Sequence, residues 1–221
     1  MNPVPLVLLF DIDDTLIDND AMQQQLDEYL IASLGNDAQT RYRQIFEETR
    51  VELGYADFLG ATERLRMEML DSAAVMKLGE WLLEFPFATL LYPGALDAVA
   101  HAHDLGFAGI LSDGDAVYQP HKIARAGLSE VFGDAQMIFV HKEQELSVVE
   151  ERFPAEHYVM VDDKVRVLAA MKEIWGDRLT TVSVKQGHYA NDPVLEHQYP
   201  AADLSLQSIS EFSQLGINDL V

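Results

Sequence analysis

Apolar positions along the chain follow two rhythms. Val4–Phe10 (VPLVLLF) is a short, unbroken apolar run containing valine, the pattern of a strand buried on both faces. It stops abruptly at Asp11-Ile12-Asp13-Asp14-Thr15. From about Asp18 to Phe87 the spacing turns helical. Met22, Leu26, Tyr29, Leu30 and Ser33 recur at helical intervals, and Gly35-Asn36 supplies a stop. Further helices are predicted over Arg41–Leu53, ended by Gly54, and over about Tyr55–Leu70, with Leu59, Leu65, Met69 and Leu70 broadly on one side. A fourth covers Ala73–Leu83 and closes before Pro86. No strand is predicted in this stretch.

After Tyr92-Pro93-Gly94 the rhythm alternates. Strands are predicted at Phe107–Leu111, Met137–Val140, Tyr158–Val161 and Thr180–Val184. Helices are predicted between them at Ala95–Leu105, His121–Ala126, Leu146–Arg152 and Val165–Trp175. Strands alternating with helices indicate an α/β fold, a parallel sheet with helices on its faces. The first strand belongs to that sheet, so the helical stretch is an insertion. The expected division is a core of residues 1–17 and 90–221 and an all-helical insertion of residues 18–89.

Composition narrows the chemistry. The 221 residues carry 15 Lys and Arg against 37 Asp and Glu, a formal charge of −22. Such a surface repels a phosphate backbone, so nucleic acid is not an expected partner. Any phosphate site must be built locally. Cysteine is absent, which excludes disulfides, zinc thiolates and thiol nucleophiles. No apolar run reaches the ~18 residues of a membrane helix, and aspartates follow the first apolar run at once, unlike a signal peptide. A membrane is therefore not an expected partner, and the expected location is the cytoplasm.

Three predicted strands end in reactive residues. The first ends in Asp11 and Asp13, the second in Ser112-Asp113-Gly114 and a later one in Asp162-Asp163. In an open parallel sheet, ligands bind beyond the carboxyl ends of the strands, so these ends converge. Four carboxylates together repel one another unless a cation sits among them, and an all-oxygen set favours Mg²⁺ over zinc. A carboxylate beside a hard cation can attack phosphorus and form an aspartyl phosphate. The Ser112 hydroxyl and the amides of Asp113 and Gly114 can hold phosphate oxygens, and Lys142 can offset their charge. Asp13 can protonate the leaving oxygen and later activate water.

The segments Phe10-Asp11-Ile12-Asp13-Asp14-Thr15-Leu16, Leu111-Ser112-Asp113-Gly114, Lys142 and Val161-Asp162-Asp163 resemble, in order, the four motifs of the haloacid dehalogenase superfamily. The resemblance spans about residues 4–184, and Ala202-Asp203-Leu204 followed by Ile209 is similar to that family's last strand and helix. It implies a Rossmann-like core with a small helical cap inserted after the first motif. By the resemblance Asp11 is nucleophile and metal ligand, Asp13 is general acid/base and touches the metal through its carbonyl, and Ser112 and Lys142 hold the phosphate. Asp162 and Asp163 supply the remaining metal contacts, with their two roles left unseparated. Dehalogenases proper in the superfamily lack an acid two residues after the nucleophile, so Asp13 ranks phosphatase first.

The second motif departs from the family in having Asp113 where Asn is usual, and the third in having Glu143-Gln144 after Lys142 where prolines follow. Lys122 is the rival lysine, expected on the surface of the helix after Ser112. The expected function is a Mg²⁺-dependent phosphatase acting on a small phosphorylated metabolite. Phosphoryl transfer to a second substrate, a signalling receiver module and a catalytically silent binding protein are the competing readings. His188 and Tyr189, after a strand end, are expected in a loop, with lining of the site mouth as the alternative, and the insertion's aromatics in its core. Arg41, Arg43, Arg64 and Arg66 are its candidate anion-facing residues. The substrate and the oligomeric state are not readable.

Overall fold

The computed structural model describes residues 3–69, 72–190 and 198–221. Six parallel strands form one sheet: β1 (Val4–Phe10), β2 (Phe107–Asp113), β3 (Gln136–Phe139), β4 (Ala155–Asp162), β5 (Leu179–Val184) and β6 (Leu204–Leu206). Their order is β3-β2-β1-β4-β5-β6, which puts the first strand at the centre. Phe10 stands level with Ile110 of β2 and Val161 of β4.

The apolar run of β1 follows from that position. Side chains alternate across a strand, and both faces here are covered. Leu6, Leu8 and Phe10 join one buried cluster, while Val7 and Leu9 join the other. The first cluster takes in Ala98, Val99 and Ala102 of α5 (Ala95–Leu105). The second takes in Leu146 and Val149 of α8 (Leu146–Arg152) and Leu168 and Met171 of α9 (Val165–Trp175). Parallel strands need such helical crossovers.

Between β1 and α5 the described residues form four α-helices: α1 (Asn19–Leu34), α2 (Asn36–Leu53), α3 (Phe58–Glu68) and α4 (Ser72–Glu84). Their apolar faces meet in Met22, Leu26, Tyr42, Phe46, Phe58, Leu65 and Leu82, continuous with the first sheet cluster. The chain leaves and re-enters through paired segments. Asp18 N–H donates to the Leu90 carbonyl at 2.9 Å, and Tyr92 N–H to the Leu16 carbonyl at 2.9 Å. Among the described residues no helix is long and apolar enough to cross a membrane.

Several boundaries differ from the expected ones. α2 begins at Asn36, because Gly35 both closes α1, donating to the Leu30 and Ile31 carbonyls, and accepts from Gln39 N–H to open the next helix. α3 starts at Phe58, where the Asp57 carboxylate caps Gly60 N–H at 2.7 Å. Leu70, assigned by pattern to that helix, lies outside the described residues. The helix after Ser112, α6 (Tyr118–Arg125), begins three residues before His121. The short α7 (Leu128–Phe132) was not predicted.

Candidate active site

The carboxyl ends of β1, β2 and β4 bring Asp11, Ser112 and Asp162 together. Asp11 Oδ1 accepts from the Ser112 hydroxyl at 2.9 Å and from Lys142 Nζ at 2.6 Å. Lys142 Nζ also pairs with Asp162 Oδ2 at 2.7 Å, and its side chain is only 2 % exposed. Lys142 thus joins the first, second and fourth motifs. Asp113 does not face the same way. Its Oδ1 accepts from the backbone N–H of Lys142 at 2.8 Å, fixing the turn that carries the lysine. Burial pushes the Asp113 carboxyl up to about 6, against the pull of Lys142. Gly114 N–H donates to the Phe139 carbonyl at 2.8 Å, so that expected phosphate donor is engaged at the end of the sheet. A Cβ at Gly114 would come within 2.8 Å of the Gln119 side chain, which explains glycine there.

Asp13 is held by two residues of α6. Lys122 Nζ approaches its Oδ1 at 2.6 Å, and Gln119 Nε2 donates to its Oδ2 at 3.2 Å and to Ser112 Oγ at 3.2 Å. Lys122 is buried, contrary to the surface position expected from sequence. Its ammonium lies 5.7–5.9 Å from the ring centres of Phe58, Phe87 and Tyr118. The ion pair and the aromatic faces together offset its desolvation. Gln119 escaped the sequence reading because a single glutamine on a helix carries no signal of a partner far away in the chain.

Asp11, Asp162 and Asp163 form a buried acidic cluster, each offering an oxygen within 4.8 Å of the others. Burial would raise Asp11, but Lys142 and then Lys164 outweigh it and hold its carboxyl below the usual range. Burial pushes Asp163 well above that range, with Lys164 opposing. Burial likewise raises Asp162 despite Lys142. Asp11 Oδ2 and both Asp163 oxygens are buried without a hydrogen-bond partner. Such groups are costly unless satisfied. Hard oxygen donors left open in this way fit a divalent cation such as Mg²⁺. Lys164 is a further residue the sequence reading missed, an ordinary-looking lysine after the two acids. The Asp162-Asp163 pair is not the cap of α9, since Lys164 holds that position and Asp162 Oδ1 accepts its N–H at 2.8 Å.

A cavity of about 360 Å³ opens beside Asp13 and Lys164, a size suited to a small molecule. Asp13, Asp113, His141, Lys164 and Arg166 line it from the sheet layer, and Asn19, Gln23, Phe46, Arg50 and Phe58 from the insertion. Arg41, Arg43, Arg64 and Arg66 do not reach it. They pair with Glu68, Asp27, Glu52 and Glu63 at 2.6–2.7 Å. Arg50 is the insertion's arginine that does. His188 and Tyr189 also line the cavity from the short helix α10 (Gly187–Ala190), and His188 Nδ1 lies 2.5 Å from Asp20 Oδ1.

A central strand ending in an Asp-x-Asp pair, a helical insertion directly after it, and a lysine bridging to the acids of a neighbouring strand define a class of α/β hydrolase. The chain matches the haloacid dehalogenase-like hydrolases over residues 6–174 and belongs to that family. A haloacid dehalogenase-like hydrolase of Burkholderia xenovorans is 45% identical, with a TM-score of 0.93 covering 98% of this chain and 99% of that one. More distant folds include L-2-haloacid dehalogenase of Xanthobacter autotrophicus (20% identity, TM-score 0.63, covering 95% and 97%). Another is a Bacillus subtilis HAD-hydrolase solved bound to magnesium (20%, 0.65, covering 96% and 98%). No curated protein matches the chain.

Proposed function

We propose that the protein is a Mg²⁺-dependent phosphatase of a small phosphorylated metabolite. The observation that supports this most directly is Asp13, a carboxylate held by Lys122 and Gln119 two residues beyond Asp11. A halide leaves without a proton, whereas an alkoxide needs one. An acid/base beside the nucleophile therefore serves ester cleavage and not halide displacement. Asp11 and Asp163, with the Asp13 carbonyl and Asp162, would hold the metal. Bound there, it supplies positive charge that offsets the carboxylates and the phosphate.

The residues then divide the work. Asp11 attacks phosphorus through a carboxylate oxygen, and the ester oxygen departs with the proton of Asp13. Ser112 and Lys142 hold the phosphoryl oxygens. Water then attacks the aspartyl phosphate, giving its proton to Asp13 and freeing Asp11 and inorganic phosphate. The test is phosphate release from 4-nitrophenyl phosphate with Mg²⁺, with chelator and in Asp11→Asn, beside halide release from 2-chloropropionate. Turnover should need Mg²⁺, fall at least about 10³-fold in the variant, and yield no halide. Halide release with no phosphate release would overturn the reading.

A further inference from the structure

Asp13 in this structure is an acceptor at both oxygens. Lys122 Nζ is 2.6 Å from Oδ1 and Gln119 Nε2 is 3.2 Å from Oδ2. These two contacts, from side chains one helical turn apart on α6, fix where both carboxyl oxygens point. The same Gln119 amide donates to Ser112 Oγ, whose hydroxyl donates to Asp11 Oδ1 at 2.9 Å. A continuous chain of hydrogen bonds thus sets the base relative to the nucleophile. Lys122 itself is fixed from the insertion. Its Nζ lies 3.2 Å from Asn19 Oδ1 at the start of α1, and Phe58 of α3 is one of its three aromatic neighbours.

We propose that Lys122 and Gln119 are positioning residues that hold Asp13 as the base for hydrolysis of the aspartyl phosphate. The proposal rests on the phosphatase reading above. In that step the water oxygen bonds to phosphorus, the Asp11 oxygen–phosphorus bond breaks, and the water proton passes to Asp13. A lysine acting only on this second step leaves the first step intact for a leaving group that needs no proton.

The experiment is pre-steady-state and steady-state turnover of 4-nitrophenyl phosphate, with Mg²⁺, by the wild type, Lys122→Met, Lys122→Arg and Gln119→Met. Methionine keeps the apolar stem among the three rings. In Lys122→Met, kcat should fall about 10- to 100-fold, KM should fall with it, and kcat/KM should stay within about threefold. A burst of nitrophenol equal to the enzyme concentration should appear. Lys122→Arg should recover part of kcat, and Gln119→Met should show the same pattern more weakly. An unchanged kcat in both methionine variants, or kcat and kcat/KM falling together without a burst, would overturn the positioning role. Gln119→Met decides the matter if Lys122→Met does not fold. A wild type that releases no phosphate would remove the phosphatase reading itself, a result separate from either of these.

Discussion

Lys142 and Asp14 show how single residues set the balance at this site. Lys142 offers one ammonium to two buried carboxylates, Asp11 and Asp162, and burial of all three is tolerable only because they meet. Asp14, on the turn after Asp13, is buried, with φ at +58° and its Oδ1 accepting from the N–H groups of Asn19 and Asp20 at 2.9 and 3.2 Å. Burial, then the charges of Asp20 and Asp13, push its carboxyl up to about 7. An unfolded aspartate titrates near 3.9, so between these values the folded chain keeps a proton that the unfolded chain has lost. That stabilisation is complete below the unfolded value and disappears as pH rises through about 7. Asp14→Asn cannot ionise and should flatten the fall. Urea midpoints of metal-free protein from pH 4 to 7.5 measure it, and a slope equal to the wild type's would contradict the assignment.

Helix boundaries decide which side chains reach the cavity. On α2, Arg43 turns to Asp27 of α1, while Phe46 and Arg50, three and seven residues on, line the cavity. α2 then ends at Gly54 in a left-handed conformation, φ +83° and ψ 0°. A Cβ there would come within 2.9 Å of His141 Nε2 and 3.3 Å of Val140 Cγ1. Gly127 has nearly the same backbone, φ +80° and ψ 4°, with only the Glu130 carboxylate near, at 3.3 Å. Alanine in a left-handed position costs about 1–2 kcal/mol. Gly127→Ala should lose about that much in urea unfolding. Gly54→Ala should lose more, because His141 and Val140 must move. Equal losses would mean that this contact yields without resistance.

At the scale of the whole molecule, the charge of −22 acts everywhere at once. Ion pairs such as Arg64–Glu52 and Arg66–Glu63 are exposed and contribute little each. The unpaired acids repel in the compact state more than in the open chain. Raising salt from about 0.01 to 0.15 M shortens the screening length from about 30 to 8 Å. The melting temperature should rise over that interval in calorimetry. A fall would show that attractive pairs outweigh the surplus.

Much of this architecture is legible in the sequence. The unbroken apolar run of β1, the acids at its end and the later strand–helix alternation follow from local rules. A strand covered on both faces must be apolar throughout, and a sheet of parallel strands must alternate with crossovers. Those rules also bring the strand ends at Asp11, Ser112 and Asp162 together, and the resemblance to the family's third motif adds Lys142. Other features were decided only by packing. Whether Lys122 faced water or Asp13, which arginine met the cavity, and that Asp113 would turn to the backbone of Lys142 depend on contacts between distant segments. Gln119 and Asp13 are 106 positions apart in the chain. Periodicity marks the face a residue lies on, whereas a partner is chosen by the tertiary approach of another element, and that distance is not written in local spacing.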